Sequence, residues 1–125
     1  MNILDTIKGT VKRFAGNGRK LGYPTANLSV VTKLDDGVYF GFANLDKHTN
    51  HPALIFIGTP TTVGDIDRRV EAHLLDIADK DYYDQKLELQ IQYFHRANQT
   101  FDSVDELLEA MKADETTARK WFENR

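Results

Sequence analysis

The clearest pattern along the chain runs from Lys86 to His95, where Leu87, Leu89, Ile91 and Tyr93 alternate with Glu88, Gln90 and Gln92. Successive side chains of an extended strand point to opposite faces, so a period of two gives one apolar face and one wet face. That is a half-buried antiparallel strand. Strand composition recurs in Thr6 to Phe14, Gly37 to Asn44, Ala53 to Ile57 and Arg69 to Leu75. Turn-rich pieces separate these runs, notably Ala15 to Thr25, Asp46 to Pro52 and Thr59 to Asp67, at the spacing of a meander or barrel.

The period changes in the last quarter. Ser103 followed three residues later by Glu106 is a capping-box pattern, and Val104, Leu107, Leu108, Met111, Ala118, Trp121 and Phe122 then recur at helical spacing. One helix, or two broken near Asp114, is expected to lay that stripe on the sheet. Strands first and a helix last, with no alternation of the two, predict an all-β domain: a small barrel or curled sheet capped by a C-terminal helix.

Composition narrows the function classes. The chain has 125 residues, 41% hydrophobic and 28% charged, the balance of a globular protein with a core, and nothing marks a boundary within residues 1–125. Its formal net charge of −3 lacks the basic field of sequence-independent nucleic-acid binding. With no cysteine there is no disulfide, thiolate zinc site or thiol nucleophile, and the four histidines lack metal-ligand spacing. No long apolar run or signal-peptide pattern is present, so the reading is of a cytoplasmic monomer without membrane or nucleic-acid partners.

Candidate chemistry concentrates in Gly16 to Asn27. Gly16, Gly18 and Gly22 allow backbone amides to turn toward one point, and Arg19 and Lys20 add cations, so the segment reads as a phosphate cradle or, equally, as a hairpin loop. Thr25 and Asn27, two apart in the extended stretch after Pro24, offer a hydroxyl and an amide oxygen to one side. Such hard ligands suit Mg²⁺, which takes its remaining oxygens from water and phosphates; closing a turn is the alternative use. Glu71 shares a strand face with His73 and could take a proton from a hydroxyl, or be an ordinary outward-facing residue.

In order and spacing these pieces resemble the riboflavin kinase (flavokinase) family over roughly Ile7 to Phe122. The most specific match is Leu21-Gly22-Tyr23-Pro24-Thr25-Ala26-Asn27-Leu28, supported by Asp36-Gly37-Val38-Tyr39, Ile57-Gly58, Val70 to Asp76, Arg96 five residues before Phe101, and the helix with Asp114. The resemblance implies a six-stranded antiparallel Greek-key β-barrel with a C-terminal helix, transferring the γ-phosphate of MgATP to the ribityl 5′-hydroxyl of riboflavin to give FMN and ADP. It implies Thr25 and Asn27 on Mg²⁺ and the nucleotide phosphates, Gly16, Gly18, Arg19, Lys20, Gly22 and Pro24 around those phosphates, Glu71 as base, and Arg96 and Phe101 toward the flavin. The adenylyltransferase that often accompanies this domain has no room in 125 residues, so the product is expected to stop at FMN, or the chain to be one domain of a longer protein. Phe14, Phe56, Thr61 and Asn98 depart from the family pattern and keep open a catalytically weakened flavin- or nucleotide-binding regulatory module of the same fold.

Overall fold

The structure, a computed structural model, describes residues 3–12, 25–29, 32–59, 68–77 and 82–125. Among these, six antiparallel strands precede one helix: β1 (Asp5–Thr10), β2 (Ala26–Leu28), β3 (Gly37–Leu45), β4 (His48–Gly58), β5 (Arg69–Leu74), β6 (Lys86–Arg96) and α1 (Val104–Glu123). They form one sheet in the order β1-β6-β3-β4-β5-β2. The meander β3-β4-β5, with β6 returning beside β3, is a Greek key, as the family resemblance implies. The sheet curls until its two edges meet, where the Lys12 amide donates to the Asn27 carbonyl at 2.8 Å.

Inside the curl lies the main core, built from alternate residues of each strand, including Ile7, Leu28, Ile55, Ile57, Val70, Leu87, Leu89 and Ile91. Outside it, under α1, sits a second, aromatic cluster. Phe40 is fully buried there, its ring 5.5 Å from Tyr93, 4.8 Å from His95 and 5.8 Å from Trp121. This is why Gly37 to Asn44 shows little polar alternation: β3 is covered on both faces over its first half.

Three sequence expectations change. Tyr93 leaves the face of Leu87, Leu89 and Ile91, because β6 slips register between Ile91 and Tyr93, where it pairs with Gly41 and Phe40 in turn. The extra residue, Gln92, turns Tyr93 outward onto Phe40 and Trp121. Gly41 permits the close approach there, since a Cβ would collide with the Gln90 carbonyl. Second, most of the turn-rich Asp46 to Pro52 is strand: only Asp46 and Lys47 form the turn, and Asn44 Oδ1 accepts from the Asn50 amide at 2.7 Å beside the register shift. Third, β2 is a strand where only an extended stretch was expected, and the expected end of β1 at Phe14 lies outside the described residues.

The helix is single and unbroken at Asp114. Ser103 caps it, its Oγ accepting from the Glu106 amide at 3.2 Å, while Glu106 Oε2 accepts from the Asp102 amide at 3.1 Å. Asp114 is buried at 6% exposure and holds α1 to the sheet: it accepts from Arg96 Nε and Nη2, both at 2.8 Å, and lies 3.1 Å from His95 Nε2. A second bidentate pair, Arg119 to Asp76 at 2.9 Å, ties the next turns of α1 to the end of β5. Hydrogen bonding from Arg119 holds the Asp76 carboxyl below its usual range. Its contribution is therefore complete at neutral pH and is lost as pH falls through that lowered value. Among the described residues no helix is long and apolar enough to cross a membrane.

Asp114→Ala is expected to destabilise the fold by about 2–3 kcal/mol, below the range for fully buried pairs because Arg96 keeps some solvent contact. Arg119→Ala, at an exposed pair, should barely move the urea midpoint that reads both. Equal midpoints for the two variants would contradict this division of roles.

Candidate functional site

β2 and β5 pair with Asn27 opposite Glu71, and Ala26, Leu28, Val70 and Ala72 all belong to the inner core. By the period of two, Asn27 and Glu71 therefore share the outer face. Thr25, two residues before Asn27, joins them: its hydroxyl donates to Glu71 Oε1 at 3.0 Å and lies 3.4 Å from Asn27 Oδ1. One hydroxyl proton serves one acceptor at a time, so the shorter contact to Glu71 is the bond and the longer one is proximity. Asn27 Nδ2 donates to the Thr25 carbonyl at 3.3 Å, which fixes the amide so that its oxygen stays toward the hydroxyl. Although Asn27 is only 6% exposed, Thr25 and Glu71 are half-buried.

The three sequence-predicted residues Thr25, Asn27 and Glu71 thus converge, presenting three hard oxygens in one place. The Thr25 and Asn27 oxygens fit Mg²⁺ completed by water and phosphate oxygens, with the Glu71 carboxylate beside them. Among the described residues no group of three or more His, Asp or Glu side chains could hold a metal by itself. Gly16, Gly18, Arg19, Lys20, Gly22 and Pro24 lie outside the described residues.

The register extends this cluster across the sheet. Glu71 pairs with Phe56 of β4, Phe56 with Val38 of β3, and Val38 with Arg96 of β6. Ile55, Ile57 and Tyr39, the neighbours of Phe56 and Val38, belong to the inner core, so one transverse outer row reads Asn27, Glu71, Phe56, Val38, Arg96. Neighbouring strands lie about 4.8 Å apart, so Arg96 lies about 14 Å from Glu71 measured along the curled sheet, and the two ends of the row face different directions. Its guanidinium is spent on Asp114 and on the Ala97 carbonyl at 3.1 Å, and Phe101 is half-buried two residues before the helix cap.

At the upper border of the row, Asn98 Nδ2 donates to the Ile57 carbonyl at 2.8 Å and closes over Gly58. Gly58 has φ +152°, and a Cβ there would run into Asn98 Nδ2 and come within 3.2 Å of Phe56 Cζ. Neither the floor of the row nor this latch was legible as function, because both depend on pairing between distant segments. A separate groove of about 520 Å³, lined among others by Lys8, Asn44, His48, Lys86 and Glu88, shares no residue with the row. It is therefore not the site the chemistry marks.

Comparison with known proteins places the chain in a family. Residues 4–122 match the family model described as flavokinase, riboflavin kinase. The RNA-binding riboflavin kinase RibR of Bacillus subtilis is 36% identical over 119 residues, covering 94% of this chain and 51% of that protein. Riboflavin kinase of Mus musculus is 31% identical over 120 residues, covering 90% of this chain and 77% of that protein. A crystal structure described as a macrolide-efflux protein from Streptococcus pneumoniae superposes with a TM-score of 0.78 at 30% identity, covering 93% of this chain and 38% of that one. The chain spans about half of RibR and 18% of the trifunctional RibF/MnmA protein of Mycoplasmoides gallisepticum, to which it is 34% identical.

Gly58→Ala is expected to cost about 1–3 kcal/mol, from backbone strain and displacement of Asn98, read as a lowered urea midpoint. A midpoint equal to wild type would show that the Asn98 latch yields freely.

Proposed function

Because the chain belongs to the riboflavin kinase family, we propose that it transfers the γ-phosphate of ATP to the 5′-hydroxyl of riboflavin, forming FMN and ADP. The observation that carries this reading is the convergence of Thr25, Asn27 and Glu71, with the Thr25 hydroxyl 3.0 Å from the Glu71 carboxylate. In the proposed reaction the substrate hydroxyl oxygen bonds to the γ-phosphorus as the bond to the β-phosphate oxygen breaks. The hydroxyl proton passes to Glu71, and the leaving electron pair stays on ADP.

Thr25 and Asn27 would hold Mg²⁺, which when bound offsets the charge that builds on the phosphate oxygens. The protein's own part is orientation. Thr25, by donating to Glu71, sets the carboxylate's angle; Asn27, fixed through its Nδ2, keeps its oxygen turned the same way. A loose phosphoryl-transfer transition state asks for such positioning more than for covalent chemistry. The residues Gly16, Gly18, Arg19, Lys20, Gly22 and Pro24 are proposed to bind the nucleotide phosphates, and Arg96 to act on the flavin side through the segment it anchors.

Incubation with riboflavin, ATP and Mg²⁺ should yield FMN by chromatography. Riboflavin binding without FMN would favour the regulatory-module reading instead. Glu71→Gln keeps size and hydrogen bonding but removes proton acceptance, so turnover is expected to fall by roughly 10²–10⁴ while riboflavin and ATP still bind. A rate near wild type would remove Glu71 from the role of base.

A further inference from the structure

We infer that Phe56 is a specificity-determining residue, the apolar floor beneath the acceptor substrate between the reacting hydroxyl and the Arg96 end of the row. This rests on the function proposed above and adds to it a residue and a direction. Phe56 stands directly opposite Glu71 on one side and Val38 on the other, on the outer face. Its ring is half-buried, so it keeps surface to offer. Val38, next in the row, is apolar but already buried, so Phe56 is the apolar residue of the row that keeps open surface beside Glu71.

The dimensions of the row suit a ligand with one reacting hydroxyl and one flat apolar body. With the hydroxyl at Glu71, a five-carbon polyol chain reaches about 6 Å at ordinary bond lengths. That distance is slightly more than one strand spacing of about 4.8 Å, so the body lies over Phe56. An aromatic floor favours a flat conjugated ring by stacking and by removing apolar surface from water. The nucleotide is placed on the other side of Glu71, where Thr25 and Asn27 take its phosphates, so the ring over Phe56 belongs to the acceptor.

The ring position is built in. Gly58, two residues further on the same face, leaves the space toward which the Phe56 ring leans, and Asn98 closes the far side through its bond to the Ile57 carbonyl. The floor is held between the β4 backbone and the segment that follows β6. Phe56 touches no reacting atom in this arrangement; it selects and orients.

The test compares wild type with Phe56→Ser and Phe56→Leu. Riboflavin affinity is read without ATP by quenching of flavin fluorescence, and the KM values for riboflavin and ATP are read from turnover. Phe56→Ser is expected to weaken riboflavin binding about tenfold and to raise its KM in step, with the KM for ATP unchanged. Phe56→Leu, which keeps an apolar side chain and the fold, should recover most of that loss and remain about threefold weaker for riboflavin alone. Riboflavin affinity equal to wild type in Phe56→Leu, or an equal change for riboflavin and ATP, overturns the floor while leaving the kinase reading intact. Wild type that makes no FMN overturns the kinase reading, and wild type that also leaves riboflavin fluorescence unquenched overturns the floor with it.

Discussion

The hydrogen bond from the Lys12 amide to the Asn27 carbonyl decides what the rest of the molecule can do. β2 has three residues, too few to hold a register alone, and it sits at the end of the strand order. Paired with β5 on one side and met by Lys12 on the other, its backbone has one available placement. Ala26 and Leu28 then fill the interior at 7% and 0% exposure, and Asn27 must face outward beside Glu71. A slip of one residue would exchange those faces and dismantle the core and the oxygen cluster together.

The helix completes the architecture from the opposite flank of the sheet. It covers the outer face of β3 and β6 with Trp121 and Phe122, so Phe40 is buried although it points away from the barrel interior. Asp114 then fixes where β6 ends and where the segment toward Phe101 begins, through Arg96. Burying an Arg–carboxylate pair adds little net stability over an apolar contact, but it permits one geometry. The two flanks therefore set the two ends of a single row, with Asn27 and Glu71 at one end and Arg96 at the other.

Much of this was readable in the chain because the signals were local. The alternation in Lys86 to His95, the Ser103 cap and the helical stripe each involve neighbours in sequence, and each appears as an element. Thr25 and Asn27 were paired by a period of two, and their meeting with Glu71 follows from the register of β2 on β5. What escaped was non-local. One helix or two at Asp114 stayed open, because the partner that covers this carboxylate, Arg96, lies eighteen residues earlier. Tyr93 read as an inward residue because a bulge leaves no mark in a short alternating pattern. β2 was hidden by its length, and the place of Phe56 beside Glu71 exists only once β4 and β5 are paired.

The central claim is that closure of the sheet makes Asn27 and Thr25 a holder for a metal-bound nucleotide next to Glu71. The most direct measurement is calorimetric titration of wild type and Asn27→Ala with ADP, once with Mg²⁺ and once with the metal chelated. The account predicts that Asn27→Ala, with its circular dichroism spectrum unchanged, loses about tenfold or more in affinity for MgADP while metal-free ADP binds both proteins alike. Equal affinity of the two proteins for MgADP would contradict it.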